Sequence, residues 1–104
     1  MDKKFTLSYL PLFEQDLAAV RDYIAFDLQT PVAARRLVED TEKAIYKRLE
    51  NPLIYAPYFS NRDRTHPYYR INIRNFAVFY VVIGDVMEVR RFVYAKRDLP
   101  SIIE

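Results

Sequence analysis

The chain of 104 residues contains no cysteine, no tryptophan, one glycine and one histidine. Without cysteine there is no disulfide, no thiolate nucleophile and no zinc-thiolate site, which fits a reducing compartment. A single imidazole, His66, excludes a histidine-rich metal centre, and with one glycine there is no glycine-rich phosphate loop. No Ser-His-Asp set and no carboxylate pair at an acid/base spacing is recognisable. Neither a metal nor a cofactor is therefore expected. The longest apolar run, Phe76–Ile83, is far short of the roughly 20 residues that span a bilayer. Asp2-Lys3-Lys4 leads into a mixed segment rather than an apolar signal core, so export is not expected, and the location inferred is the cytoplasm.

Apolar residues make up 51% of the chain, and nine Tyr and seven Phe supply bulky material for a core. That composition excludes the disordered class, and the length suits one domain spanning residues 1–104. Net charge is only +2, but it is unevenly distributed. Residues 1–50 hold eight basic and nine acidic side chains; residues 51–104 hold eight basic and five acidic, and seven of those eight are Arg. Arginine makes bidentate contacts with anions and stacks on flat rings, so the second half is where an anionic partner would bind.

Hydrophobic spacing gives the order of elements. Phe5, Leu7 and Tyr9 alternate with polar neighbours, which predicts a half-buried strand over residues 4–9. Pro11 then opens a helix over residues 11–28, with Phe13, Leu17, Val20, Ile24 and Leu28 on one face. Thr30-Pro31 starts a second helix with a stripe of Ala34, Leu37, Val38, Thr41, Ala44, Ile45 and Leu49, which Asn51-Pro52 stops. Residues 51–67, holding three of the six prolines, read as a long loop. From Tyr68 the period returns to two, with Ile71 and Ile73 buried and Arg70, Asn72 and Arg74 in a row on the opposite, open face. A turn at Asn75, the near-continuous apolar run Phe76–Ile83, a Gly84-Asp85 turn and a last strand Val86–Tyr94 follow. The fold class is α+β in the order β-α-α-β-β-β, a helical hairpin packed on one face of a largely antiparallel four-stranded sheet.

Basic and aromatic residues interleave again in Arg90-Arg91-Phe92-Val93-Tyr94-Ala95-Lys96-Arg97-Asp98, as a surface that stacks on flat groups and neutralises phosphates requires. Arg91 interrupts the apolar alternation, which suggests a sheet edge or a carboxylate partner such as Glu88 or Asp98. The residues singled out are Arg70, Tyr94 and Arg97 as candidate catalytic groups, and Arg74, Arg90 and Lys96 as contacts for a target or nucleic acid. Any proton transfer here falls to Arg, Lys, Tyr or a carboxylate, because His66 lies in a polar loop before Pro67.

Phe13-Glu14-Gln15-Asp16-Leu17 with Tyr23-Ile24, Pro31-Val32-Ala33-Ala34, Tyr69-Arg70-Ile71, Phe79-Tyr80-Val81-Val82 and Tyr94-Ala95-Lys96-Arg97-Asp98-Leu99 stand in an order that resembles the RelE/ParE toxin superfamily over nearly the whole chain. The resemblance implies the toxin of a type II toxin-antitoxin system, inhibiting growth by binding DNA gyrase as the ParE branch does, or alternatively by cutting messenger RNA on the ribosome as the RelE branch does. A non-toxic interaction module is the third reading. The family pattern places Arg97 at the nucleases' transition-state Arg and Arg70 at a catalytic-strand Lys. Asn72 replaces a second Lys, Ala77 stands where an Arg is expected, Tyr94 where many members carry His, and the nucleases' C-terminal Tyr has no counterpart. The Lys96-Arg97-Asp98-Leu99-Pro100 ending is similar to ParE-like and plasmid-stabilisation members. A cognate antitoxin is the partner implied, with gyrase or the ribosome and its messenger as target, and no membrane. The toxin is expected in a heteromeric complex or as a homo-oligomer.

Overall fold

Two prolines each open a helix in the computed structural model, which describes residues 4–57 and 65–96. Helices α1 (Pro11–Asp22) and α2 (Pro31–Leu49) begin on them, at the position where a missing N–H forfeits no intrahelical bond. Thr30 is the N-cap of α2 as expected, its carbonyl accepting the Ala34 N–H at 3.1 Å, but its hydroxyl donates to the Ile24 carbonyl at 3.0 Å and so ties the two helices together. The single helix expected over 11–28 is interrupted. Its regular part ends at Asp22, and a π-helical turn, Tyr23–Asp27, follows, with the Leu28 N–H donating to the Tyr23 carbonyl at 3.1 Å. The wider turn rotates the next residue off the stripe: Leu28 is 52% exposed, whereas Phe13, Leu17, Val20 and Ile24 face the core as expected. Along α2, Ala34, Leu37, Thr41 and Ile45 are buried at helical spacing. The Thr41 hydroxyl, fully enclosed, is satisfied by donating to the Leu37 carbonyl at 2.7 Å.

The sheet contains β1 (Thr6–Tyr9), β2 (Tyr69–Ile73), β3 (Phe76–Ile83) and β4 (Val86–Tyr94) in the spatial order β1-β4-β3-β2. Strands β2, β3 and β4 form an antiparallel meander, and β1 joins β4 in parallel from Thr6↔Val86 to Tyr9↔Val89. The α+β order read from the sequence is the one observed. Gly84 takes φ 61° in the β3–β4 turn, a conformation open to glycine at little cost. The β2–β3 turn spans Arg74 and Asn75 rather than Asn75 alone, and Arg74 itself adopts φ 54°. Opposite Phe79 and Tyr80 the ladder slips by one residue: Phe79 pairs with Arg91 and Tyr80 with Val89, leaving Arg90 as a β-bulge.

Between helices and sheet, Phe13, Leu37 and Ile45 meet Ile71, Val78, Tyr80, Met87, Val89 and Phe92. Each such side chain contributes about 1.5–3 kcal/mol of burial. A run of rings crosses this core: Tyr9 stacks on Phe13 at 5.3 Å, Phe13 meets Phe92 edge-on at 6.4 Å, and Phe92 stacks on Phe76 at 4.9 Å. The opposite face is not the uniformly open polar surface that the alternation of β2 suggests. Tyr68, Ala77, Phe79, Val81 and Val93 form a second buried cluster there. The reason lies in β3, whose apolar residues follow one another and so supply both faces.

Candidate functional site

On this second face, Arg70 and Asn72 project from the same side of β2, and the Arg70 Nε donates to the Asn72 Oδ1 at 2.6 Å. The Arg70 guanidinium lies 5.8 Å from the centre of the Phe79 ring, within cation-π range. Phe79 in turn meets Tyr68 edge-on at 6.1 Å, and the Arg90 guanidinium sits 5.8 Å from the Tyr68 ring. Bulging turns Arg90 towards this surface, where its Nε donates to Glu88 Oε2 at 2.9 Å. Burial works against the Arg90 charge, but hydrogen bonds to Tyr68 and Glu88 outweigh it and raise the Arg90 pKa. The centre of the second face is thus an apolar patch carrying two arginines, each set against an aromatic ring.

Of the two carboxylates expected for Arg91, beside the bulge, Asp98 lies outside the described residues, and the one that meets Arg91 here is neither of them. The Arg91 Nε and Nη2 donate to the Asp16 carboxylate of α1 at 2.7 and 3.3 Å, and the same carboxylate accepts the Phe92 N–H at 3.1 Å. Strand β1 pairs with β4 only as far as Val89. Asp16 takes over beyond that point, supplying the acceptor that a longer β1 would have provided.

The remaining residues of interest lie elsewhere. Arg74 leaves the row expected for it because the chain turns there, and its guanidinium forms an ion pair with Asp40 of α2. Tyr94 pairs with Phe76 in the ladder and meets that ring at 5.9 Å on the helix-facing side, so it lies on the face opposite Arg70. It is 40% exposed. Lys96 follows in an exposed turn that the Ala95 N–H fastens to the Asn75 carbonyl at 2.8 Å. Arg74, Tyr94 and Lys96 therefore gather at the β2–β3 turn, apart from Arg70 and Arg90 at mid-sheet. Arg97 lies outside the described residues. Among the described residues no group of three or more His, Asp or Glu could hold a metal ion, and no helix is long and apolar enough to cross a membrane.

Two contributors escaped the sequence reading. Arg48, in the last turn of α2, donates through Nη1 to the Arg70 carbonyl at 3.1 Å and to the Tyr80 hydroxyl at 3.0 Å. The Tyr80 hydroxyl donates onward to the Pro52 carbonyl at 2.6 Å. Burial raises the Tyr80 pKa, and the hydrogen bond from Arg48 opposes the rise. The signal available in the sequence was a cation at helical spacing from Ala44 and Ile45, on the flank of the apolar stripe. Tyr68, which precedes β2 and covers Phe79, is the other.

The order of elements agrees with the comparisons. A family model for the ParE toxin of the type II toxin-antitoxin system, parDE, matches residues 7–99. The chain belongs to the ParE toxin family. Membership gives it the toxin role in a type II toxin-antitoxin system. Among solved structures, a chain of the chromosomal ParDE TA system from P. aeruginosa superimposes with a TM-score of 0.74 at 17% identity, covering 90% of this chain and 99% of that one. At that identity the match speaks for the ParE-like fold alone. The comparison with curated proteins gives no significant match.

Proposed function

We propose that this toxin arrests growth by binding DNA gyrase through the second face of its sheet, with Arg70 as the principal contact and Arg90 beside it. The observation that carries this reading is the setting of Arg70: its Nε is held by Asn72 and its guanidinium by the Phe79 ring, at the border of a buried apolar patch. Arginine and tyrosine around a desolvated centre make up the usual composition of an energetic hot spot in a protein interface. A nuclease needs a proton donor or acceptor within reach of the phosphate that Arg70 would hold. Asn72 does not titrate, Tyr94 stands on the other side of the sheet, and the titratable neighbours on this face, Tyr68 and Glu88, are engaged by Arg90, so these contacts favour binding over messenger cleavage. Arg74 and Lys96 would extend the contact from the β2–β3 turn. A co-expressed antitoxin would neutralise the toxin by covering its apolar surface, and both partners would meet gyrase in the cytoplasm.

The test is a supercoiling assay with purified gyrase. Micromolar wild-type protein inhibits supercoiling, and Arg70→Ala raises the concentration needed by about tenfold, the factor carried by one lost charged contact. Unimpaired supercoiling, with new messenger cleavage in a translating extract, would instead support the ribosome-dependent endonuclease.

A further inference from the structure

The ends of α2 and β2 meet at a single guanidinium. Arg48 is only partly exposed, and among the described residues no carboxylate pairs with it. A cation in that position is held by neutral groups alone: the Arg70 carbonyl, the Tyr80 hydroxyl, and the Tyr55 ring at 4.6 Å from its central carbon. Filling this space would require only an apolar side chain, and such a replacement would also avoid partly desolvating a charge. The contacts that the guanidinium does make are directional. One of them reaches the main chain of the residue read above as the target contact.

Strand β2 lies at the edge of the sheet. At Arg70 its outward carbonyl is met not by another strand but by Arg48. The side chain of Arg70 is fixed separately, by Asn72 and Phe79. Main chain and side chain are therefore held by different partners, and α2 reaches the first through Arg48. Through Tyr80 the same guanidinium is linked to the Pro52 carbonyl, and through its flat face to Tyr55, so the start of the segment 51–57 is fastened to the same point. A shallow cavity lined by Ala44, Lys47, Ile54, Tyr55 and Ile71 adjoins it. Arg48 is thus held on that side by the Tyr55 ring rather than by close packing.

We propose that Arg48 is a positioning residue for Arg70, and that the segment 51–57 acts on the second face through it. This rests on the reading of Arg70 as the target contact. Loosening Tyr55 frees the flat face of Arg48, a free Arg48 no longer holds the Arg70 carbonyl, and the β2 edge then moves under the Arg70 side chain.

The experiment uses the full chain as wild type, Arg48→Lys, Tyr55→Ala and Arg70→Ala, each checked for folding by circular dichroism. Lysine keeps the charge but cannot lie flat against Tyr55 while its donor nitrogen stays at the place of Nη1. The Arg70 Nε–H resonance is assigned by its disappearance in Arg70→Ala. It is expected to shift or broaden in Arg48→Lys and Tyr55→Ala, and both variants are expected to need several-fold more protein than wild type for equal growth inhibition on titrated expression. A lowered melting temperature with the Arg70 resonance in place and potency unchanged at equal folded protein would overturn the proposal and leave Arg48 a packing residue. Should wild type fail to inhibit growth, or Arg70→Ala match it, the reading of the site falls, and the Arg70 resonance still decides whether Arg48 positions that residue.

Discussion

Strand β3 supplies both faces of the sheet, yet the two are closed in different ways. On the helix side, Val78 and Tyr80 are met by large side chains from α1 and α2, and the interior polar groups are satisfied at short range, as with Thr41 and Tyr80. On the other side, Ala77, Phe79 and Val81 are equally buried but smaller on average, Tyr68 covers Phe79, and the border carries Arg70, Arg90 and Glu88. Identical burial thus serves two ends. The helix side concentrates the energy that holds the fold, whereas the second side gives cations a dry, rigid base against which their contacts strengthen.

The contrast is open to direct challenge. The largest effect is expected from Leu37→Ala, at about 3 kcal/mol in urea unfolding, while Val81→Ala on the second face is expected to cost about half of that. Equal losses would erase the energetic difference between the faces. Next comes Asp16→Asn, which keeps an acceptor for the Phe92 N–H but removes the carboxylate charge that Asp16 presents to Arg91. About 2 kcal/mol is expected, read from the same urea midpoints.

A pH series tests the helix side at its margin. The Tyr9 pKa is pushed up to about 12, first by burial and then by the nearby Tyr46, Glu42 and Glu14. The folded chain therefore binds this proton more tightly than the unfolded chain does, so the associated stability is present below the ordinary tyrosine value near 10. That stability declines as pH rises from there towards 12. Tyr80 titrates in the same sense. Tyr9→Phe is expected to flatten the alkaline part of the curve, and an unchanged slope would contradict the assignment. The smallest effect belongs to Arg74→Gly, where relief of the positive φ offsets the exposed Asp40 pair, giving a change within about 0.5 kcal/mol by thermal melting.

Most of the framework was legible before any coordinates. Pro11, Pro31 and Gly84 mark boundaries through their own backbone limits, and the run Phe76–Ile83 marks a strand covered on both sides. What was hidden depends on partners distant in sequence. Leu28 stands at proper helical spacing, and only the π-helical turn removes it from the stripe. Arg74 continues the alternation of β2 although the chain is already turning. The carboxylate for Arg91 comes from Asp16, 75 residues away, and Arg48 looks like an ordinary solvated cation in the last turn of a helix until β2 is laid beside it. Of the candidate residues, the division of Arg70 and Arg90 at mid-sheet from Arg74 at the β2–β3 turn could not be read from spacing alone.

The parallel pairing of β1 with β4 bears on how the molecule assembles. The hydroxyl of Thr6 reaches the carbonyl of Asp85, 79 residues further along, and the backbone bonds that seat β1 join it to the last strand and to the turn just before it. The helical hairpin and the β2–β3–β4 meander close over short stretches and can organise early, whereas β1 must wait for a far larger loop to close. Docking of the first strand is therefore expected to be a late step in folding, and a ribosome must synthesise nearly the whole domain before its opening residues have anywhere to go.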